Sequence, residues 1–473
     1  MLTLADVLEA LTGLRPVIEP LVITEAAIDS RQVIPGGMFV AIPGERVDGH
    51  DFVAQAFRAG AVAALIEHEL EQPFPVLEAR PGLAQPISGK IETPVCIRVE
   101  NTVSALQQVA SFWRRKLSLR VIGITGSVGK STTKEAIAQV LSQRYKTLKS
   151  LANLNNEIGL PLNVLRLTSG HQYAVLEMGF YVLGEIAQLC EIALPQVGVL
   201  NNIGTVHAER AGSQQVIAQG KGELVEALPP APEGVAILNY DDPFIRPMKN
   251  RTRARVFYYG LSPAADLWAD QIEGLGLDGI RLRLHYRKES LVVRVPMIGQ
   301  HSAHTVLRAA AVGLNEGLTW DEIVRGLQES HAQLRLVAVR AESGALLLDD
   351  TYNASPESTL AALNLLEELK GRRVAVLGDM LELGQYERDG HERVGARAAE
   401  VADLLVTFGV RAHLIAEAAR RAGMKSSVVC EFEEMDEMIA WLKAHLTGND
   451  AVLVKGSHSL RMDRAVAALE AAR

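Results

Sequence analysis

The densest run of chemistry-bearing residues is ITGSVGKSTT, Ile124 to Thr133. Gly126 and Gly129 permit a tight backbone curl, with Thr125 and Ser127 in the same turn. Lys130, Ser131 and Thr132 follow at once. The run sits between an apolar strand, LRVIGITG, and a helix-forming stretch, STTKEAIAQVLSQR. Such a turn aims backbone N–H groups and a helix N-terminus at one point, which favours phosphate. Lys130 would set a compact positive charge near β- and γ-phosphates, and the Ser131 hydroxyl would bind Mg²⁺. The strict phosphate-loop pattern requires glycine at Ile124; here the glycine is Gly123, one place early. A glycine turn without a ligand is the plain alternative, and the strand–turn–helix setting weighs against it.

On open α/β sheets, ligands bind outside the C-terminal ends of strands. Glu177 in LEMG and His207 in NNIGTVHAE fall at such ends. Together they could hold a second Mg²⁺, although that ion prefers oxygen ligands. Taken singly, Glu177 reads equally as a helix cap or a lysine partner, and His207 as a hydrogen-bonded structural histidine. Lys221, in QGKGEL on a helical stretch, reads by residue type as a solvated surface lysine. DDTYNASPES, Asp349 to Ser358, leads from a strand end into a helix. Its side chains suit turns and caps, or Asp350 accepts from a ribose hydroxyl. LVKGSHSLRMD repeats that arrangement with Lys455 and Ser457, as an anion-binding turn or a helix cap.

These candidates need a scaffold, and 473 residues exceed what one hydrophobic core serves. With 48% hydrophobic and 22% charged residues the composition is that of a globular protein. A net charge of −8 excludes a general nucleic-acid binder, which needs a cationic surplus. Cys96, Cys190 and Cys430 are scattered and odd in number, so neither a disulfide framework nor a metal spacing follows. The N-terminal MLTLADVLEALTGLRP lacks a basic region and reads as an amphipathic helix rather than a signal peptide. No apolar run approaches the roughly 18–20 residues that span a bilayer. A cytoplasmic protein without membrane insertion is expected.

Three α/β regions are predicted: residues 1–98, 99–331 and 332–473. In the first, short strands alternate with turn signals such as IPGG and VDGHDF, and PFPVLEARPGLAQPISGKIETP reads as irregular connection. NTVSALQQVASFWRRKL has helical spacing with Asn101 as N-cap. In the second, strands (VIGITG, YAVLEMG, VGVLNNIG, GVAILNY) alternate with helices such as SQQVIAQGKGELVEAL, which implies a mostly parallel sheet covered on both faces. GIRLRLHYRKESLVVRVPMIG looks like an antiparallel appendage. In the third, ALLLDD, RRVAVLGD, DLLVTFG, SSVVCEF and DAVLVKG are strands of a second, Rossmann-like unit.

In this order, over some 430 residues, these segments resemble the Mur ligases. DDTYNASP, LGDMLELG and VKGS point to the branch that adds D-alanyl-D-alanine. The resemblance implies a UDP-binding N-terminal domain, a central P-loop ATPase-like domain and a C-terminal Rossmann-like ligase domain. It places Ser30, Arg31, Asp48, Gly49 and His50, in IDSRQVIPGGMFVAIPGERVDGHDF, at or near a UDP-sugar site. It places Asn155 and Asn156, in LNNEIGLP, near the substrates. Thr125, Gly126, Ser127, Gly129, Lys130, Ser131 and Thr132 become the ATP loop. Ser131, Glu177 and His207 become Mg²⁺ ligands, joined by Lys221 carried as a carbamate. Lys130, His207 and Lys221 are the implied catalytic residues. Arg335 and Asp350 would lie at ATP, and Tyr352, Asn353, Lys455 and Ser457 near the incoming dipeptide.

The chain departs from the family pattern in a few places. Ser302 and Thr305 stand where relatives carry the asparagines that read the adenine edge. Leu334 replaces a glycine, and His458 an arginine. The implied activity is ATP- and Mg²⁺-dependent ligation of D-alanyl-D-alanine to UDP-N-acetylmuramoyl-tripeptide, through an acyl phosphate, by a monomer. The rivals are another Mur or folate-type amide ligase, or a nucleotide-binding module without turnover.

Overall fold

In the computed structural model, residues 1–206, 208–329 and 337–471 are described. Among them, the large sheets are three. A five-stranded parallel sheet takes Ala26–Ala27, Met38–Val40, Ala63–Ile66, Val95–Arg98 and Val76–Glu78, in that spatial order. Val76–Glu78 lies inside the stretch read as irregular. It has little periodicity of its own and is recruited by pairing with Val95–Arg98. Ser88–Gly89, in the same stretch, pairs with Val17–Ile18.

The helix Thr102–Arg115 starts where the sequence places it, with Asn101 Oδ1 accepting from the Ser104 amide at 2.8 Å. One apolar cluster runs from the N-terminal helix Leu4–Thr12 through this helix to Gly159–Leu165 and Glu185–Ala193. The N-terminal sheet is thereby fastened to one face of the central one. Trp113 adds a fixed point, its Nε1 donating to Leu167 O at 2.8 Å.

The central sheet has nine strands among the described residues. Arg120–Thr125 is flanked by Tyr173–Glu177 on one side and Val197–Leu200 on the other, all parallel. The chain therefore switches direction across the sheet at the strand that feeds the ITGSVGKSTT turn, where such sheets open a crevice. Beyond Val197–Leu200 lie Val235–Asn239 and Arg255–Gly260, also parallel. Leu267–Gly274, Ile280–Tyr286 and Glu289–Val295 then form the antiparallel appendage. The inner strands bury both faces, so they read as continuous apolar runs rather than alternating ones. Helices Lys130–Leu141, Ala303–Asn315 and Trp320–Gln328 cover the second face.

The C-terminal sheet orders Val337–Arg340, Leu346–Asp350, Asp450–Lys455, Arg372–Gly378, Leu404–Phe408 and Val429–Phe432. Only the first strand is antiparallel. Leu346–Asp350 and Asp450–Lys455 are neighbours in register, so Asp350 and Lys455 end adjacent strands side by side. Among the described residues no helix is long and apolar enough to cross a membrane.

Candidate active site

The turn after Arg120–Thr125 is held from below by two asparagines. Asn202 O accepts from the Ser127 amide at 3.0 Å, and Asn202 Oδ1 from the Val128 amide at 2.9 Å. Asn201 Nδ2 donates to Val128 O and to Thr133 Oγ1. Gly126 has φ +153°, and a Cβ there would come within 2.6 Å of Asn201 Cβ, so the close approach admits only glycine. Gly129, at φ +79°, is the N-cap of Lys130–Leu141. The first turn of that helix opens into a cavity of about 390 Å³, where its leading N–H groups face an incoming anion. Lys130 Nζ donates to Gly126 O at 2.8 Å, folded over the loop it serves. Thr125 Oγ1 donates to Met178 O, which ties this strand end to the next.

Glu177 ends the neighbouring strand and is 1% exposed. Its Oε2 accepts from Ser131 Oγ and its Oε1 from Asn155 Nδ2, both at 2.8 Å. A hydroxyl, a carboxylate and a side-chain amide thus converge beside the phosphate loop. The hydroxyl and the carboxylate are hard oxygen donors suited to a divalent cation of the Mg²⁺ type, while Asn155 gives its N–H to the carboxylate and orients it. Asn156 does something else: its Oδ1 accepts from the Gly159 amide at 2.8 Å, steadying the turn that leads into Gly159–Leu165.

Lys221 overturns the reading as a solvated lysine. It is 1% exposed, within the helix Gln214–Glu226, and its Nζ sits over the Phe180 ring at 5.0 Å from the centroid. Among the described residues no carboxylate pairs with it. Burial, with a contribution from the charge of Lys130, pushes its pKa well below the ordinary lysine value. Residue type cannot reveal this, because the neighbouring Gly220 and Gly222 that let Phe180 and Arg251 close over the helix are tertiary facts. His207 and Arg335 lie outside the described residues.

The opposite wall comes from the C-terminal unit. Lys455 Nζ donates to Asp350 Oδ2 at 2.6 Å and to Asn353 O at 2.8 Å, with the lysine side chain 2% exposed. Asp350, Asn353 and Lys455 share the cavity with Ser127, Lys130 and Glu177. Tyr352 is exposed and does not line the cavity; its ring is 5.9 Å from that of His458. Ser457 Oγ accepts from the Leu381 amide, which joins the VKGS and LGDMLELG turns.

Sequence reasoning did not single out Asn201, Asn239, His301, His304, Arg308 or Glu357, all of which line the cavity. Asn201 and Asn239 were recoverable, since Asn201 directly follows the strand Val197–Leu200 and Asn239 ends the strand Val235–Asn239. His301, an exposed side chain on the short turn just before Ala303–Asn315, was not. Ser302 Oγ donates to Ile298 O and Thr305 Oγ1 accepts from Arg308 Nη2, so both hydroxyls are engaged within their own segment.

The N-terminal candidates form a separate group. His50 Nδ1 contacts Asp48 Oδ1 at 2.6 Å, and its Nε2 accepts from the Glu67 amide at 2.8 Å. His68 stacks on His50 at 3.9 Å and reaches Asp48 Oδ2 at 3.3 Å. Asp48 is held down at about 2, chiefly by the His50 amide. With both ring nitrogens of His50 engaged, this acid–histidine trio is a braced loop rather than an open metal site. Gly49 packs where a Cβ would lie 2.6 Å from Ile42 N. Ser30 is buried, while Arg31 is exposed and paired with Asp29 at 2.7 Å.

A phosphate loop at a switch point, facing a second α/β unit across a polar cleft, defines a nucleotide-binding enzyme architecture. Residues 22–114 match the Mur ligase family catalytic domain, 124–313 the Mur ligase middle domain, and 334–458 the Mur ligase glutamate ligase domain. The UDP-N-acetylmuramoyl-tripeptide–D-alanyl-D-alanine ligase of Synechocystis is 36% identical over 454 residues, covering 95% of this chain and 93% of that one. The enzyme of the same name from Bacillus subtilis is 33% identical over 470 residues, covering 98% and 97%. MurF from Acinetobacter baumannii superposes with a TM-score of 0.82 at 30% identity, over 98% of this chain and 97% of that one. MurF from Thermotoga maritima, in complex with ADP, gives 0.77 at 28%, over 95% and 97%. The chain belongs to the Mur ligase family.

Proposed function

We propose that this protein joins D-alanyl-D-alanine to UDP-N-acetylmuramoyl-tripeptide at the expense of ATP. The observation that carries the reading is the single cavity in which the phosphate loop and Glu177 meet Asp350, Asn353 and Lys455. The substrate carboxylate attacks the γ-phosphorus of ATP. An O–P bond forms, the P–O bond to ADP breaks, and an acyl phosphate results. The amine of D-alanyl-D-alanine then attacks the acyl carbon; a C–N bond forms and phosphate leaves.

Bringing carboxylate and triphosphate together opposes like charges. Lys130 and the first-turn amides of Lys130–Leu141 offset that repulsion. Ser131 and Glu177, with His207, would hold Mg²⁺, which supplies charge neutralisation at the transferring phosphoryl group. Lys221 joins them as a carbamate. Its burial favours the neutral amine, the form that adds CO₂ with loss of a proton, and the product is an oxygen ligand in place of a cation. Asp350, set by Lys455, faces the ribose, and Asn353 and Tyr352 the dipeptide. Arg335 is assigned to ATP by the family resemblance alone. Ser30, Arg31, Asp48, Gly49 and His50 form the UDP end, with Asp48 and His50 bracing its loop. Asn155 serves the site through Glu177, and Ser457 through the turn it anchors.

We assign the units 1–98, 99–331 and 332–473 to UDP-sugar binding, ATP binding and closure over the acyl phosphate, respectively. Both cleft walls come from one chain, which supports a monomer, and the use of ATP and a UDP-linked precursor supports the cytoplasm as its place of action. The test is phosphate release with ATP, Mg²⁺, UDP-N-acetylmuramoyl-tripeptide and D-alanyl-D-alanine, omitting each in turn. Release that needs all four, with a product heavier by one dipeptide less one water, is expected. Release with a single amino acid, or with a folate acceptor, would refute the reading.

A further inference from the structure

Among the described residues two arginines are buried, and they are held differently. Arg114, 3% exposed, gives Nε, Nη1 and Nη2 to the carbonyls of Ala193, Leu117, Leu119 and Leu194. Its fork is spent inside the fold. Arg308, 4% exposed on the helix Ala303–Asn315, has fewer acceptors. Its Nε donates to His304 O and its Nη2 to Thr305 Oγ1, both at 3.0 Å. The Tyr259 hydroxyl, whose own proton goes to the carbonyls of Leu200 and Asn201, can accept one more. A guanidinium carries five N–H groups, so donors remain. No carboxylate among the described residues pairs with this one, and a buried charge without an anion is unfavourable until acceptors are supplied.

The cavity places those acceptors. Arg308 lines it together with Lys130 and Ser131. A Cβ built on Gly129, the N-cap of Lys130–Leu141, would lie 3.8 Å from Arg308 Nη2. The guanidinium thus flanks the point where the helix begins and its leading amides are free. Lys130 Nζ is folded back onto Gly126 O, at the other end of the turn. An anion seated on the loop therefore meets one cation from each side. Phosphate oxygens, close together and strongly accepting, suit a fork of N–H donors.

We propose that Arg308 is a second cationic contact to the diphosphate of the bound nucleotide, acting from the Gly129 end of the loop while Lys130 acts from the Gly126 end. This rests on the nucleotide-site reading above. The diphosphate is common to ATP and ADP, so Arg308 binds nucleotide before and after transfer alike. Such uniform binding lowers KM for ATP and leaves kcat little changed.

The experiment is calorimetric titration of the full-length protein with ADP and Mg²⁺, for the wild type, Arg308→Ala, Arg308→Lys and Arg308→Met, with KM for ATP and kcat measured alongside. Arg308→Ala should weaken ADP by roughly 10- to 150-fold, the range for one hydrogen bond to a charged group, and raise KM for ATP in step. Arg308→Lys should regain most of that loss, because an ammonium also serves phosphate as a point charge. Arg308→Met should unfold no earlier than the wild type without nucleotide, since it removes a buried charge that lacks an anion, and should show a smaller rise in Tm on adding ADP. Wild-type ADP affinity in Arg308→Ala, or equal losses in the Ala and Lys variants, would overturn the inference. So would a fall in kcat with KM unchanged, or an Arg308→Met protein that unfolds earlier yet keeps its full response to ADP; that pattern marks a structural arginine. A wild type that binds no ADP would overturn the nucleotide-site reading itself.

Discussion

Replacing Lys221 with methionine should raise stability while abolishing turnover. The side chain is fully enclosed, its amine lies over the Phe180 ring, and no carboxylate among the described residues pairs with it. Methionine fills much the same volume without a polar atom, and volume-conserving swaps are the best tolerated in cores. Removing a buried, poorly partnered polar group recovers about 1–3 kcal/mol. The pH dependence carries the sign. Lys221 has a folded pKa well below its ordinary 10.5, so between those two values the unfolded chain binds the extra proton. Wild-type stability from this group therefore rises with pH across that window, by at most about 1.4 kcal/mol per pH unit, and the variant lacks that rise. Calorimetric unfolding in bicarbonate-free buffer, from pH 6 upward, would read it. The variant's advantage should be largest at the acid end and shrink as pH rises. Phosphate release should fall at least about a hundredfold, as for loss of a group that organises a metal site. In the wild type, turnover should decline when bicarbonate is stripped and recover when it is restored. A variant that is less stable than wild type, or that still turns over, would refute the assignment of a neutral, carbamate-forming lysine.

Lys130→Ala removes the compact charge over the loop; phosphate release should drop by about three orders of magnitude, as for loss of an electrostatic contact to a transferring group, with the circular-dichroism spectrum unchanged. Gly126→Ala forces a Cβ to 2.6 Å from Asn201 Cβ at a φ that side chains avoid. It should weaken ADP binding by tenfold or more in titration, whereas the exposed Gly423→Ala, with open space around its Cβ, should not. Asp350→Asn leaves Lys455, 2% exposed, without its anion; about 3 kcal/mol of C-terminal stability should be lost in denaturant unfolding, near the lower end for a broken buried pair. Retention of wild-type stability there would show that the Asn353 carbonyl alone satisfies the lysine.

What the sequence makes legible is what depends on local pattern. The strand–turn–helix around Gly126 to Thr132, the Asn101 cap and the parallel strands follow from periodicity and turn chemistry, and they appear as such. Glu177 and Asp350 were recognisable as strand-end residues, since a strand's C-terminal end is a local property that topology then gathers to one cleft. Lys221 was not legible from spacing. Its burial depends on Phe180 and Arg251 arriving from elsewhere against Gly220 and Gly222. The strand Val76–Glu78 was also hidden, because its pairing partner lies some twenty residues on, across a Pro- and Gly-rich connection.

Arg308 shows a third kind of information, neither local pattern nor pure tertiary accident. Its place on Ala303–Asn315 sets it one turn after Thr305, so the two side chains meet on one face. That Arg308 meets Thr305 follows from their spacing on one helix, whereas that the pair faces the cavity is decided by how the helix packs on the central sheet, which no local pattern states.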